Sequence, residues 1–297
     1  MLFSVVIPTY NRAVLISRTL DSLWRQSLTD FEVIVVDDGS NDGTSDYLRS
    51  LQGRIQCMQQ ENRGPGAARN LGAASARGDY VAFLDSDDVW FPWTLATVAE
   101  QIQKCRSPAM ISASVLEFGD ESELANVVHE SPQVQLFDDY LSASATGYYV
   151  GSGMAILRRD DFLNSGGFST LQMNCEDHDL ALRLGTAPGF LQIIKPVTLG
   201  WRRHACGASV NVRRTFEGVR HLVTQEQLGK YPAGNARSRE RREIICRHLR
   251  PVVLECLRQG MRREAWELYR TTFGWHVKLG RWKFLAGVLV SSAWGVR

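Results

Sequence analysis

The chain has 297 residues, 44% of them hydrophobic and 22% charged, with a formal net charge of +2. That length buries a substantial core, either as one large α/β domain with an appendage or as two domains. The composition is that of a soluble globular protein, and six cysteines without a Cys-x-x-Cys pair exclude a disulfide framework or zinc ribbon. Charge is unevenly spread: residues 1–200 carry 14 Lys or Arg against 25 Asp or Glu, and the remaining residues 20 against 7. The acidic and the basic part are expected to do different jobs.

The amino terminus runs directly into Phe3-Ser4-Val5-Val6-Ile7, a buried-strand pattern without a basic leader or small-residue cleavage site. No secretory signal and a cytoplasmic catalytic face are therefore expected. Ala13, Ile16, Leu20, Leu23 and Trp24 share one helical face, and Phe31 to Val36 form the next apolar run. A helix after Gly43-Thr44, a strand near Ile55 to Met58, a helix from Gly66 to Ala76 and a strand ending at Leu84 follow. Repeated β-α-β order predicts an α/β fold, a mainly parallel sheet flanked by helices. Right-handed crossovers put the carboxyl ends of its strands on one ligand-binding edge.

A helix from Pro92 to Lys104 and a strand from Met110 to Val115 extend this unit. From Gly119 to Val150 the pattern loosens around Gly147-Tyr148-Tyr149, which reads as a connecting, acceptor-facing region. Met154 to Arg158 resumes strand character, Gly166-Gly167-Phe168 is a turn, and Glu176 to Leu184 resembles a short helix opened by acids. After Trp201 the chain is basic and mostly helical, with Pro232-Ala233-Gly234-Asn235 as a flexible link. The expected division is a catalytic domain over 1–210 and a helical basic region over 211–297.

Four segments carry chemistry. Val5-Val6-Ile7-Pro8-Thr9-Tyr10-Asn11 is a strand ending in a turn that presents an aromatic ring. Val35-Val36-Asp37-Asp38-Gly39-Ser40 is a strand ending in two carboxylates. Asn62 to Asn70, with Arg69, leads to the strand that delivers Asp85-Ser86-Asp87-Asp88 from its end. Cys175-Glu176-Asp177-His178-Asp179-Leu180 comes later, followed by Trp201-Arg202-Arg203-His204. An Asp-rich turn suits Mg²⁺ or Mn²⁺, hard cations that take one or two carboxylates together with substrate phosphates, but it equally caps a helix. Cys175, His178, His204 and Cys206 are a weaker zinc alternative.

In this order the four segments resemble the family-2 glycosyltransferases, inverting enzymes of the A-type nucleotide-sugar fold, over roughly residues 3 to 210. The resemblance implies a nucleobase pocket lined by Pro8 and Tyr10, with Tyr10 stacked on the base and Asp38 accepting from a base N–H. It implies that Arg69 lies beside the base or diphosphate and Asp85 near the ribose and metal. Asp87 would bind the Mg²⁺ or Mn²⁺, His204 would contact metal or diphosphate, and Asp177 would be the catalytic base. The implied partners are a nucleotide diphosphate-sugar, UDP-sugar favoured, and an acceptor hydroxyl of a polysaccharide, a lipid-linked glycan or a protein glycan.

The residue chemistry agrees. A cation on the donor diphosphate stabilises a leaving group whose charge grows in the transition state, and a positioned carboxylate takes the proton of the attacking hydroxyl. A noncatalytic nucleotide-sugar module, a basic membrane or nucleic-acid binder and a nucleotidyltransferase are the rival readings. Trp275, Lys278, Arg281, Trp282, Lys283, Phe284 and Leu289 mix aromatic, cationic and apolar residues as interfacial helices do, so peripheral contact with the inner face of the membrane is expected ahead of nucleic acid. Ordinary helix packing explains the same pattern, and residues 284–296 are too short to span a bilayer of about 30 Å.

Overall fold

The computed structural model describes residues 1–203 and 211–294, with side chains through residue 290. The chain forms two compact units. The first comprises Met1–Tyr140, Tyr149–Thr170 and Ala187–His204, and the second Leu141–Tyr148, Leu171–Thr186 and Ala205–Arg297.

The first unit is the α/β part. It runs β1 (Phe3–Thr9), α1 (Leu15–Trp24), β2 (Phe31–Asp37), α2 (Thr44–Ser50), β3 (Gln56–Gln59), α3 (Pro65–Ala74), β4 (Tyr80–Phe83), β5 (Val89–Trp90) and α4 (Thr94–Lys104). It continues as β6 (Met110–Ser112), β7 (Val115–Phe118), β8 (Gln133–Phe137), β9 (Ala155–Arg158), α5 (Arg159–Asn164), β10 (Phe190–Lys195) and β11 (Leu199–Arg202). Eight strands make one sheet in the order β3-β2-β1-β4-β9-β6-β10-β8, and β5-β11-β7 make a second.

Every residue of β1 is buried, as a central strand covered on both faces requires, and from Phe3 to Pro8 its apolar run is broken at Ser4 alone. β1 pairs in parallel with β2 and β4, and β2 with β3, so the expected parallel sheet with helices over it is present. β9 runs antiparallel to both β4 and β6, and β8 antiparallel to β10. The strand expected over Met110 to Val115 breaks at Ala113. The Ala113 amide donates to the Met154 carbonyl at 3.3 Å, and the chain then leaves the large sheet to pair β7 with β11.

The second unit is helical: α6 (Glu176–Arg183), α7 (Val212–Gln227), α8 (Ser238–Arg258), α9 (Arg262–Lys278) and α10 (Trp282–Trp294). Its core holds Phe216, Leu222, Ile245, Leu249 and Leu268. A buried cation ties α8 to α7: Arg241 donates to Glu226 at 2.6 Å and to the carbonyls of Pro232 and Gly234, each at 2.6 Å. The segment expected to be a flexible link is thus pinned, because a guanidinium buried in a low dielectric recruits acceptors for its donors. Residues 171–186, placed in the first domain by the sequence reading, belong with the helices here.

Candidate functional site

The strand order reverses at β1, with β2 on one side and β4 on the other, so the crevice beyond the carboxyl ends of β1 and β4 is the ligand position of an open α/β sheet. Tyr10 follows β1 and is 44% exposed, while Pro8 is buried within the strand. Asn11 sits at φ 51 and turns the chain back over β2. Its amide donates to Ser40 Oγ at 2.9 Å, and its side-chain oxygen accepts from the Asn41 amide at 2.9 Å. An exposed aromatic ring is thereby held on a hydrogen-bonded turn.

Asp38 is buried at the end of β2. Its carboxylate accepts from Gln60 Nε2 at 2.6 Å, the Arg63 amide at 2.9 Å and the Gly64 amide at 2.8 Å. A carboxylate has about four acceptor positions, so these three leave one for a ligand donor. Asp38 first shapes the 60–64 loop, a duty that the sequence does not reveal. Asp37 is a loop residue as well, accepting from the Ser40 amide and the Ser45 hydroxyl.

Across the crevice, the turn after β4 carries three carboxylates. Arg69, in α3, is buried and donates to Asp85 Oδ1 at 2.6 Å, with its guanidinium 5.2 Å from the Phe168 ring centroid. Asp87 is partly exposed, and Arg12 Nε on the opposite wall lies 3.6 Å from its Oδ2. Asp88 is almost fully buried and accepts from the Arg202 amide at 2.9 Å. Burial, and then the neighbouring Asp85 carboxylate, push the Asp88 carboxyl up to about 9 against the pull of that amide.

Gly153 makes room for this cluster. A Cβ there would lie 3.0 Å from Asp85 Oδ2 and 3.2 Å from Asp88 Oδ2. Arg202 also donates from Nε to the Asp87 carbonyl at 3.1 Å and from a terminal nitrogen to Glu121 at 3.1 Å. Asp88, Arg12, Arg202 and Gly153 received no role from the sequence. Of these, only the run of three acids at residues 85–88 offered a signal.

Among the described residues, no three Asp, Glu, His or Cys side chains form a ready-made cage for a cation. The donors nonetheless fit Mg²⁺ or Mn²⁺, which take one or two carboxylates and complete their shell with phosphate oxygens and water. The fit rests on the crowding of Asp85, Asp87 and the buried Asp88 on one turn, an arrangement that favours the arrival of positive charge. His204, the other expected metal contact, lies outside the described residues, as does Cys206 of the zinc alternative.

In the helical unit, Asp177 occupies the first turn of α6, where the helix dipole favours an anion. Its side chain is 22% exposed, and Oδ1 accepts from the His178 amide at 2.7 Å. The α6 start is held from behind. Cys175 is at φ 68, the Asn174 amide donates to the Arg214 carbonyl at 3.2 Å, and Asn174 Nδ2 donates to Thr215 Oγ1 at 2.8 Å. At Gly218 of α7 a Cβ would sit 1.8 Å from the Asn174 carbonyl oxygen, so only glycine permits this approach.

Asp179 is buried beside Asp177 and accepts from Tyr231 at 2.9 Å and Arg183 at 2.9 Å, with His221 Nε2 3.5 Å away. Burial and the adjoining Asp179 carboxylate push the Tyr231 hydroxyl pKa up, keeping that hydroxyl a donor. Asp179 is therefore an anchor of α6.

A sheet whose switch point carries an exposed aromatic ring on one wall and an acidic turn on the other can be set beside known proteins. An uncharacterized glycosyltransferase of Nostoc sp. is 43% identical over 107 residues, 35% of this chain and 33% of that protein. An uncharacterized glycosyltransferase of Haemophilus influenzae is 30% identical over 201 residues, 66% of this chain and 67% of that protein. The match thus spans a third of the first relative's length and two thirds of the second's. Among solved structures, residues 1–349 of Staphylococcus aureus TarS in complex with UDP-GlcNAc match with TM-score 0.72 at 20% identity, covering 93% of this chain and 80% of that one. This likeness shows that the fold is the A-type expected. The family model described as "Glycosyl transferase family 2" matches residues 4–164, from the first strand through the acidic turn to α5, and the chain belongs to that family.

Proposed function

We propose that this chain transfers a sugar from a nucleotide diphosphate-sugar to a hydroxyl acceptor, with inversion at C1 and with Mg²⁺ or Mn²⁺ as cofactor. The observation that carries the reading is the crevice between β1 and β4, with Tyr10 on one wall, Asp85 and Asp87 on the other, and Arg12 3.6 Å from Asp87. Tyr10 offers a face on which a base stacks. Asp38 offers its remaining acceptor position to a base N–H, and Pro8 supports the turn from within β1. Arg69 orients Asp85 through their 2.6 Å bond, so that Asp85 and Asp87 hold the cation and the ribose–diphosphate end of the donor. His204, outside the described residues, is the further diphosphate or metal contact that this reading assigns.

Asp85 and Asp87 would hold a cation there, which would supply positive charge to offset that growing on the departing diphosphate. Asp177 accepts the acceptor's proton as the new C1–oxygen bond forms and the C1–phosphate oxygen bond breaks. One such in-line displacement inverts the anomeric centre. Because TarS was solved with UDP-GlcNAc, uridine donors come first. The acceptor hydroxyl belongs to a polysaccharide, a lipid-linked glycan or a protein glycan, and the reaction runs on the cytoplasmic side.

The test is a screen of nucleotide-sugars for Mn²⁺-dependent release of nucleoside diphosphate, with Asp87→Asn as control. The expected result is UDP release from a uridine donor that Asp87→Asn abolishes while its Tm stays near wild type. Pyrophosphate release would indicate nucleotidyl transfer, donor binding without product would indicate a binding module, and either would overturn the proposal. Full turnover by Asp87→Asn would remove that residue from the metal site.

A further inference from the structure

The apolar face of α10 that packs inward is already occupied. Leu285 and Val288 are buried, Phe284 lies 4.4 Å from the His276 ring centroid, and Tyr269 donates to the Leu285 carbonyl at 3.2 Å. A second apolar stripe faces out. Trp282 is 61% exposed, Leu289 51% and Val290 59%, with Ala286 exposed between them. Positions i, i+4, i+7 and i+8 share one side of a helix.

The charged residues that flank this stripe along the sequence have a single sign. Lys283 is exposed next to Trp282, and exposed Lys278 ends α9 just across the Leu279–Arg281 turn. From residue 268 to the last residue, 297, the sequence holds five Lys or Arg and no Asp or Glu. Arg281 is neutralised by Glu243, and among the described residues no ion pair holds Lys278 or Lys283 beside the stripe.

We propose that the outward face of α10 docks on an anionic phospholipid surface, with the helix lying in the headgroup plane. A tryptophan, aliphatic side chains and flanking lysines match the two halves of that interface: acyl chains for the stripe, phosphates for the ammonium groups. A second copy of the chain fits less well. Four side chains fall far short of the roughly 20–30 residues per partner of a stable interface, and a two-fold contact would bring lysine against lysine. The thirteen described residues of α10 reach about 20 Å, short of a hydrocarbon core of about 30 Å. None of the helices among the described residues is long and apolar enough to cross a membrane.

The experiment is cosedimentation of the full chain with phosphatidylcholine vesicles and with vesicles in which phosphatidylglycerol is mixed. Two double variants, Lys278→Glu/Lys283→Glu and Trp282→Ser/Leu289→Ser, are run beside the wild type, and their thermal unfolding confirms that they are folded. The wild type should bind the anionic vesicles alone, and binding should weaken as salt rises. Each variant should lose about tenfold or more in partitioning. Donor hydrolysis in solution stays at the wild-type level in both, so failure here is distinct from failure of the transferase reading. Binding to neutral vesicles as strong as to anionic ones, no binding to either, unchanged binding by folded variants, or a dimer that the variants dissolve would overturn the proposal.

Discussion

Asp88 shows how much one buried carboxyl contributes to the acidic turn. Packed under Asp85 and held by the Arg202 amide, it has its pKa raised from 3.8 to about 9. The sign follows from linkage. Between these two values the folded protein binds a proton that the unfolded chain has released, so the contribution of Asp88 to stability is most favourable below about 4 and is lost as pH rises toward 9. Asn keeps the acceptor for Arg202 and removes the charge. Asp88→Asn should therefore stabilise the metal-free protein by on the order of 1 kcal/mol near neutral pH, seen as a raised Tm, with a gain that grows toward alkaline pH. Melting curves across that range check it. A Tm lowered equally at every pH would mean that Asp88 is ionised and stabilising in the fold.

At the scale of the element, α6 depends on α7. The eight residues of α6 would not hold a helix alone, and the Asn174–Cys175 backbone rests on the one position of α7 without a side chain. Gly218→Ala forces the Asn174 carbonyl to move, at a cost of roughly 1–3 kcal/mol for overpacking. Transfer should fall more steeply than donor affinity, because the displaced group is Asp177 and not the nucleotide pocket. Comparable losses in donor affinity and in transfer would contradict this positioning role. Rescue of transfer by wild-type-like geometry in Gly218→Ser is not expected, since any Cβ meets the same oxygen.

Across the whole molecule, legibility followed periodicity and burial. β1, β2 and β4 were readable because each is an apolar run with acids or turn residues at its carboxyl end, and these ends line the proposed site. β8 was missed because an edge strand of sequence Gln133-Val134-Gln135-Leu136-Phe137 buries too little to show a pattern, and the break at Ala113 was missed because two sheets share one apolar run. The structural duties of Asp38 and Asp179 were not legible, since a sequence does not show that Gln60, two loop amides or Tyr231 will reach them. The charge asymmetry was visible at once, but the chain places residues 171–186, with the acidic start of α6, among the basic helices.

The central claim is that Asp177 removes the acceptor's proton in an inverting transfer, and Asp177→Asn tests it most directly. Asn preserves size and shape without the ability to take a proton, so donor binding measured by calorimetry should be unchanged. Single-turnover transfer should fall by about two orders of magnitude or more. NMR of the wild-type product should show the anomer inverted relative to the donor. Undiminished transfer by Asp177→Asn, or a retained anomer in the wild-type product, would contradict the account.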